Sequence, residues 1–406
     1  MSTLAFTARP GIRGLAAAVV VALLAVGLPT GAARAQQTSA EFFEKFNPGQ
    51  QAYQKRDFAG ALKAGKDARA VAKSAFEKKT ALTLIYVAAA QLRNYADAIE
   101  AGEALLATEG VPTSDKLTYH KSLAQMYGAT NHFDKAILEY KQYLAGTSGT
   151  AQDYSALAQY YFAAKDCPNS LASIDRALGG GRAPDEDQLK IQMRCYFQSK
   201  QDDKLLAASE DALKRFPKKD YYTQVLRVYQ DRKIDDLAIA EMLRFGFNKG
   251  WLEAEADYVK LGDRALDVGT TAEAQRVLED GIKKKQVKNA DKVERLLKQA
   301  KERAAEDIKT IGQLDAEARA GKNGEADVRL GYRYYSMGQY DKAVEAINRG
   351  LSPERVARVK RTDDASMVLG ICYLKLNKKA EADKAFNFAK ADPRMAPAAK
   401  MWLGGA

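Results

Sequence analysis

The chain has 406 residues, 28% of them charged and 46% hydrophobic, and a formal net charge of +11. This is more than one ordinary core would hold. Two histidines, and three cysteines with no closely spaced pair among them, exclude the usual zinc and redox motifs.

At the N-terminus, Arg9 and Arg13 precede an uncharged run from Leu15 to Leu28, then Pro29 and a small-residue stretch ending Ala33-Arg34-Ala35. This pattern predicts a secretory signal peptide over residues 1–35, cleaved before Gln36, since an apolar core of about 14 residues is too short to span a membrane. The expected location is therefore periplasmic in a Gram-negative bacterium, or secreted, with the cleaved chain soluble. Removal of 1–35 takes three Arg and no acid, leaving +8. For an exported chain that balance points to anionic lipid, anionic glycan or acidic protein partners, and not to nucleic acid.

Four runs then share one pattern: Arg56-Asp-Phe-Ala-Gly-Ala-Leu62, Arg93-Asn-Tyr-Ala-Asp-Ala-Ile99, Asn131-His-Phe-Asp-Lys-Ala-Ile137 and Gly338-Gln-Tyr-Asp-Lys-Ala-Val344. Each reads as a turn leading into a helix. Phe58, Tyr95 and Phe133 stand 37 and 38 residues apart, a period that predicts stacked repeats. Leu123-Ala124, Tyr127, Phe133, Ala136 and Tyr140 mark one unit, and Leu157-Ala158, Tyr161, Ser170 and Ile174 the next. Tyr196, Leu206, Ala212 and Pro217 continue the series. These small and large apolar residues recur on one helical stripe. A first block over 36–245 is expected.

The register blurs beyond Pro217. Arg244-Phe-Gly-Phe-Asn-Lys-Gly-Trp251 packs two Gly and three aromatics into eight residues, which predicts a loop or break. An irregular region over 246–320 follows. Within it, Val293, Leu296, Leu297, Ala300, Ala304, Ile308, Ile311 and Leu314 predict a helix whose apolar stripe they form. Lys283, Lys284, Lys285, Lys288, Lys292, Arg295, Lys298, Lys301 and Arg303 load its approach and outer face, while Asp291, Glu294 and Glu302 interrupt the positive charge. It reads as a basic spacer helix, with contact to an anionic membrane surface as the alternative.

The last block, 321–406, holds the clearest copies: Leu330-Gly331, Tyr334, Gly338, Tyr340, Ala343 and Leu351, then Leu369-Gly370, Tyr373, Ala382, Phe386, Ala389 and Pro393, displaced by 39 residues. This pattern resembles the tetratricopeptide repeat (TPR). The resemblance implies an all-α, right-handed superhelical solenoid of antiparallel helix pairs, with peptides lying in a concave groove lined by the first helix of each pair. Carried onto this chain, that groove would show Lys121, Gln125, Gln159, Phe162, Lys190, Arg194, Phe197 and Gln198, and in the last block Tyr332, Tyr335 and Lys375. The Lys-Asn arrangement with which some family members hold a terminal carboxylate is absent. In the same register Cys167 opens a second helix and Cys195 lies late in the next first helix, so a disulfide between them is one reading and three buried thiols the other.

No Gly-x-Ser-x-Gly elbow, phosphate loop or HExxH motif occurs, and Gly179-Gly-Gly-Arg182 suits a helix cap and loop. No cofactor or metal is expected. The sequence supports a non-enzymatic protein-interaction scaffold of the cell envelope holding a partner peptide or protein. The alternatives are an accessory protein touching anionic polysaccharide or lipid through its basic segments, and a glycan hydrolase with a superhelical domain.

Overall fold

In the computed structural model, which describes residues 38–287 and 290–405, the same turn recurs along the chain. The predicted signal peptide, its cleavage site and Lys288 lie outside the described residues. At each such turn a helix ends on a residue with left-handed backbone: Arg56 (φ 63°), Arg93 (55°), Asn131 (61°), Lys165 (64°), Lys200 (55°) and Asn377 (59°), with Gly338 (76°) in the matching place. The next amide then donates back across the turn, Asp57 to the Ala52 carbonyl, Asn94 to Ala89, His132 to Tyr127 and Asp166 to Tyr161. These bonds close a Schellman motif and satisfy carbonyls that the helix end leaves open. Where the residue is Asp57, Asn94 or Asp166, its side chain also accepts from an amide three positions on, so the stop of one helix is the N-cap of the next. The aromatic residues Phe58, Tyr95, Phe133 and Tyr340 each open a helix.

The chain divides into two compact units, one ending at Ile191 and the other beginning at Gln192. The first contains α1 (Ala40–Gln54), α2 (Phe58–Val71), α3 (Ala75–Gln91), α4 (Tyr95–Ala107), α5 (Thr113–Ala129), α6 (Phe133–Ala145), α7 (Ala151–Ala163) and α8 (Cys167–Ala177), each packed on its sequence neighbours. Ala61, Ala98, Ala136 and Ser170, at one position of the second helices, are fully buried and let each pair close tightly. Glu77 anchors the start. Its carboxylate accepts from the backbone amides of Ser39, Lys73 and Ser74, which hold it down at about 2.

Helix α9 (Glu186–Gln198) runs through the boundary. The second unit continues with α10 (Asp202–Arg215), α11 (Lys219–Asp231), α12 (Asp236–Asn248), α13 (Glu255–Val268), α14 (Thr271–Lys283), α15 (Ala290–Ala320), α16 (Gly324–Ser336), α17 (Tyr340–Gly350), α18 (Thr362–Lys375), α19 (Lys379–Lys390) and α20 (Ala396–Gly405). All described regular structure is helical, in tandem hairpins that make the all-α solenoid expected. The Leu-Gly pairs work as close approaches: a Cβ on Gly331 would strike Ile347 of α17, and one on Gly370 would lie 2.5 Å from the Phe386 ring of α19. Helix α15 stands outside the pairing, and α20 packs back on α10 and α12, closing the unit on itself.

Two expectations for the middle of the chain are corrected. Arg244-Phe-Gly-Phe is not a break but the last turns of α12, so the expected 245/246 boundary falls inside a helix. Gly246 is there because the Tyr222 side chain of α11 occupies the place of its Cβ. The chain turns only at Lys249-Gly250, where Gly250 has φ 72°. Along α15 the stripe is also displaced. Val293, Ala300, Ala304 and Ala318 are buried, but Ile308 is 65% exposed and its neighbour Asp307 faces inward, accepting from Thr271 Oγ1 (2.6 Å) and Arg333 Nε (2.8 Å). The polar partners on α14 and α16 take the position that an apolar side chain would otherwise fill.

Candidate functional site

In the first unit one of the predicted groove residues is taken up in a joint between hairpins. Lys121 of α5 places Nζ 2.7 Å from Asp153 Oδ1 of α7 and 4.6 Å from the centre of the Tyr143 ring. Asp153 also accepts from Tyr140 Oη (3.0 Å) and from the Thr150 amide (2.8 Å) and hydroxyl (2.7 Å). Burial pushes the Asp153 carboxyl up, but Lys121, Thr150 and Tyr140 outweigh it and hold the group at about 2. Lys121 is thus spent on joining one hairpin to the next. Gln125, Gln159 and Phe162 lie half-buried on α5 and α7. On α9, Lys190 is half-buried and pairs with Glu186 (3.2 Å) and Asp187 (3.4 Å), whereas Arg194 and Gln198 are exposed and Phe197 is 49% exposed.

Tyr332 and Tyr335 do not face a groove. Both are buried within the second unit, Tyr332 donating to Asp364 Oδ2 (2.8 Å) and Tyr335 to Glu273 Oε1 (2.7 Å). They surround Arg244, 1% exposed, whose Nε and Nη2 donate to the two oxygens of Glu273 at 2.8 and 2.9 Å and whose Nη1 donates to Glu241 Oε1. The Arg244 guanidinium lies 5.6 Å from the Tyr335 ring centre, and the Ser336 hydroxyl accepts from the Glu273 amide. Two carboxylates therefore face one guanidinium in a dry interior, where charge is costly unless paired. Burial raises Glu241 to about 7, with Asp364 and Glu273 adding to the rise against Arg244, and its Oε2 has no hydrogen-bond partner among the described residues. Glu273 is also pushed up by burial, but Arg244 and Tyr335 bring it below the usual carboxylate range.

This cluster escaped the sequence reading, although a signal existed. Glu241 and Arg244 sit among Ala238, Met242 and Phe245 on α12, a helix buried on nearly all sides, where an i,i+3 ion pair has no solvated face to occupy.

Among the described residues no three His, Cys, Asp or Glu side chains are grouped as metal ligands, and no helix is long and apolar enough to cross a membrane. His120 Nδ1 lies 2.6 Å from Glu139 Oε2, and His132 sits exposed in its turn against Thr130 Oγ1. Cys167 and Cys195 are disulfide-bonded; Cys372 is a buried free thiol pushed up by burial.

No protein-family model and no curated protein matches the chain. Solved structures similar to it include a tetratricopeptide repeat protein from Parabacteroides merdae (13% identity, TM-score 0.36, covering 64% of this chain and 99% of that one). Another is the C-terminal part of a TPR repeat-containing protein from Cytophaga hutchinsonii (14%, TM-score 0.31, 88% and 98%). A third is the Naa15/Naa10 complex bound to HypK-THB (14%, TM-score 0.42); this chain covers 59% of that one, with 86% of its own length aligned.

Proposed function

We propose that the protein is a non-enzymatic scaffold of the bacterial cell envelope that holds a partner peptide or protein on the first-helix face of its first unit. The observation that carries this reading is the contrast in exposure. Gln125, Gln159 and Phe162 keep part of their surface accessible in the first unit, whereas Tyr332 and Tyr335 are sealed inside the second. A strip that is part apolar and part amide suits an extended peptide segment. The signal peptide read from residues 1–35 supports the envelope location. The alternative occupant, an anionic glycan or lipid, has its own surface in the exposed run Lys283, Lys284 and Lys285, of which Lys284 pairs with Asp280 (2.8 Å).

A photocrosslinking residue at Gln125 or Gln159 in intact cells tests the proposal. One envelope protein captured at both positions is expected, and its purified form should bind Gln159→Glu at least tenfold more weakly than the parent. Charge reversal at Lys283, Lys284 and Lys285 should leave that affinity unchanged. Binding abolished by the lysine reversal and indifferent to Gln159→Glu would replace the peptide reading with the anionic-surface one.

A further inference from the structure

A cleft of about 390 Å³ opens within the second unit between α10 and α20. Leu213, Val225, Met401 and Leu403 supply its apolar lining, and Lys214, Lys390 and Lys400 stand around it. Its two acids are already answered inside the chain: Glu210 accepts from Tyr229 Oη and lies 3.8 Å from Lys400 Nζ, and Asp211 holds Arg215 Nε at 2.8 Å. Lys214 and Lys390 are both exposed and have no ion-pair partner among the described residues. Two positive charges are therefore uncompensated beside an apolar hollow.

The position of Lys214 is also constrained. Helix α20 comes so close at Gly404 that a Cβ there would lie 3.2 Å from Cβ and Cγ of Lys214, so the lysine stem is packed against the helix end. Its ammonium emerges beside the cleft with fewer conformations open to it than a free surface lysine has.

We propose that this cleft binds a small amphipathic carboxylate, with the apolar body against Leu213, Val225, Met401 and Leu403 and the carboxylate on Lys214 and Lys390. The volume lies at the lower end of the range for small-ligand sites, which suits a free organic acid rather than a folded partner. Apolar burial supplies the attraction and the two ammonium groups set the preference for an anion.

Calorimetric titration of the full chain with decanoate, and with decanol as the uncharged probe of equal tail, tests this. Decanoate should saturate at one equivalent and bind at least tenfold more tightly than decanol. The double variant Lys214→Gln/Lys390→Gln, which keeps the packed Cβ and Cγ of Lys214, should lose at least tenfold in decanoate affinity with its thermal midpoint unchanged. Ala207→Trp, at an exposed position lining the cleft, should block binding by filling it. Equal binding of the two probes, undiminished binding by the lysine variant or by Ala207→Trp, or no saturable decanoate binding would each overturn the proposal.

Discussion

The two units put charge in opposite places. In the first, the ionic joint Lys121–Asp153 lies at the edge of the hairpin stack, with the Lys side chain 37% exposed and every Asp153 contact matched by a donor. In the second, Arg244, Glu241 and Glu273 are at the centre, with one carboxylate oxygen unmatched. The hairpin is the same in both. What differs is α15, a single helix between pairs: before it α12 and α14 are second helices of their hairpins, after it α16 and α18 are first helices, and side chains from these four line the interior. Inserting one unpaired helix and folding α20 back turns the face expected to bind a partner into core.

The strongest way to break this contrast is Arg244→Met, which leaves Glu241 and Glu273 buried without their cation and should cost about 3–5 kcal/mol. Hydrogen exchange by mass spectrometry should show lost protection over α12, α14 and α16 while α1–α8 keep theirs. Unchanged protection in the second unit would mean that the cluster is not what holds it. Trp402→Ala tests the closure itself. The indole donates to the Glu241 carbonyl (3.1 Å) and stacks on Phe386, and its removal should cost about 3–5 kcal/mol in urea unfolding.

Acidity should separate the units next. Glu241 holds its proton up to about 7 in the folded chain against an ordinary value near 4.5. Folding therefore retains a proton that the unfolded chain releases, and the second unit should weaken as pH rises from about 4.5 to about 7, then level off. Asp153, at about 2 against an ordinary 3.8, has the opposite sign: its contribution is present above about 4 and is lost as pH falls toward 2. Exchange protection followed across pH should show the two slopes in different helices, and Glu241→Gln should flatten only the slope of the second unit. A common slope in both units would remove the distinction.

Smaller effects sharpen it. Gly246→Ala should cost about 1–3 kcal/mol by forcing Tyr222 aside, read as a lower unfolding midpoint. Arg93→Gly relieves a left-handed residue at a repeat turn and should gain about 0.5–1 kcal/mol, the cost of that backbone for a side chain less the entropy that glycine adds to the unfolded chain.

The turns and the hairpins were legible in the sequence because they are local. A left-handed residue, an N-cap and an aromatic opening the next helix all lie within four positions, and the Leu-Gly and Ala positions need only the facing helix of the same pair. The orientation of those hairpins was not legible. Tyr335 reaches Glu273 across 62 residues and Trp402 reaches Glu241 across 161. Phe245-Gly246 read as a break for a different reason: glycine and aromatics crowded together match loop composition, and only the Tyr222 side chain of the facing helix α11 shows that glycine to be a close approach inside a helix. Ile308 and Asp307 exchanged places for a similar reason, with Thr271 and Arg333 supplying the partners. A repeat motif states how each helix meets its neighbour. Which side of the pair is then removed from water depends on the sum of many such small rotations and on one unpaired helix, and that was decided only in the folded unit.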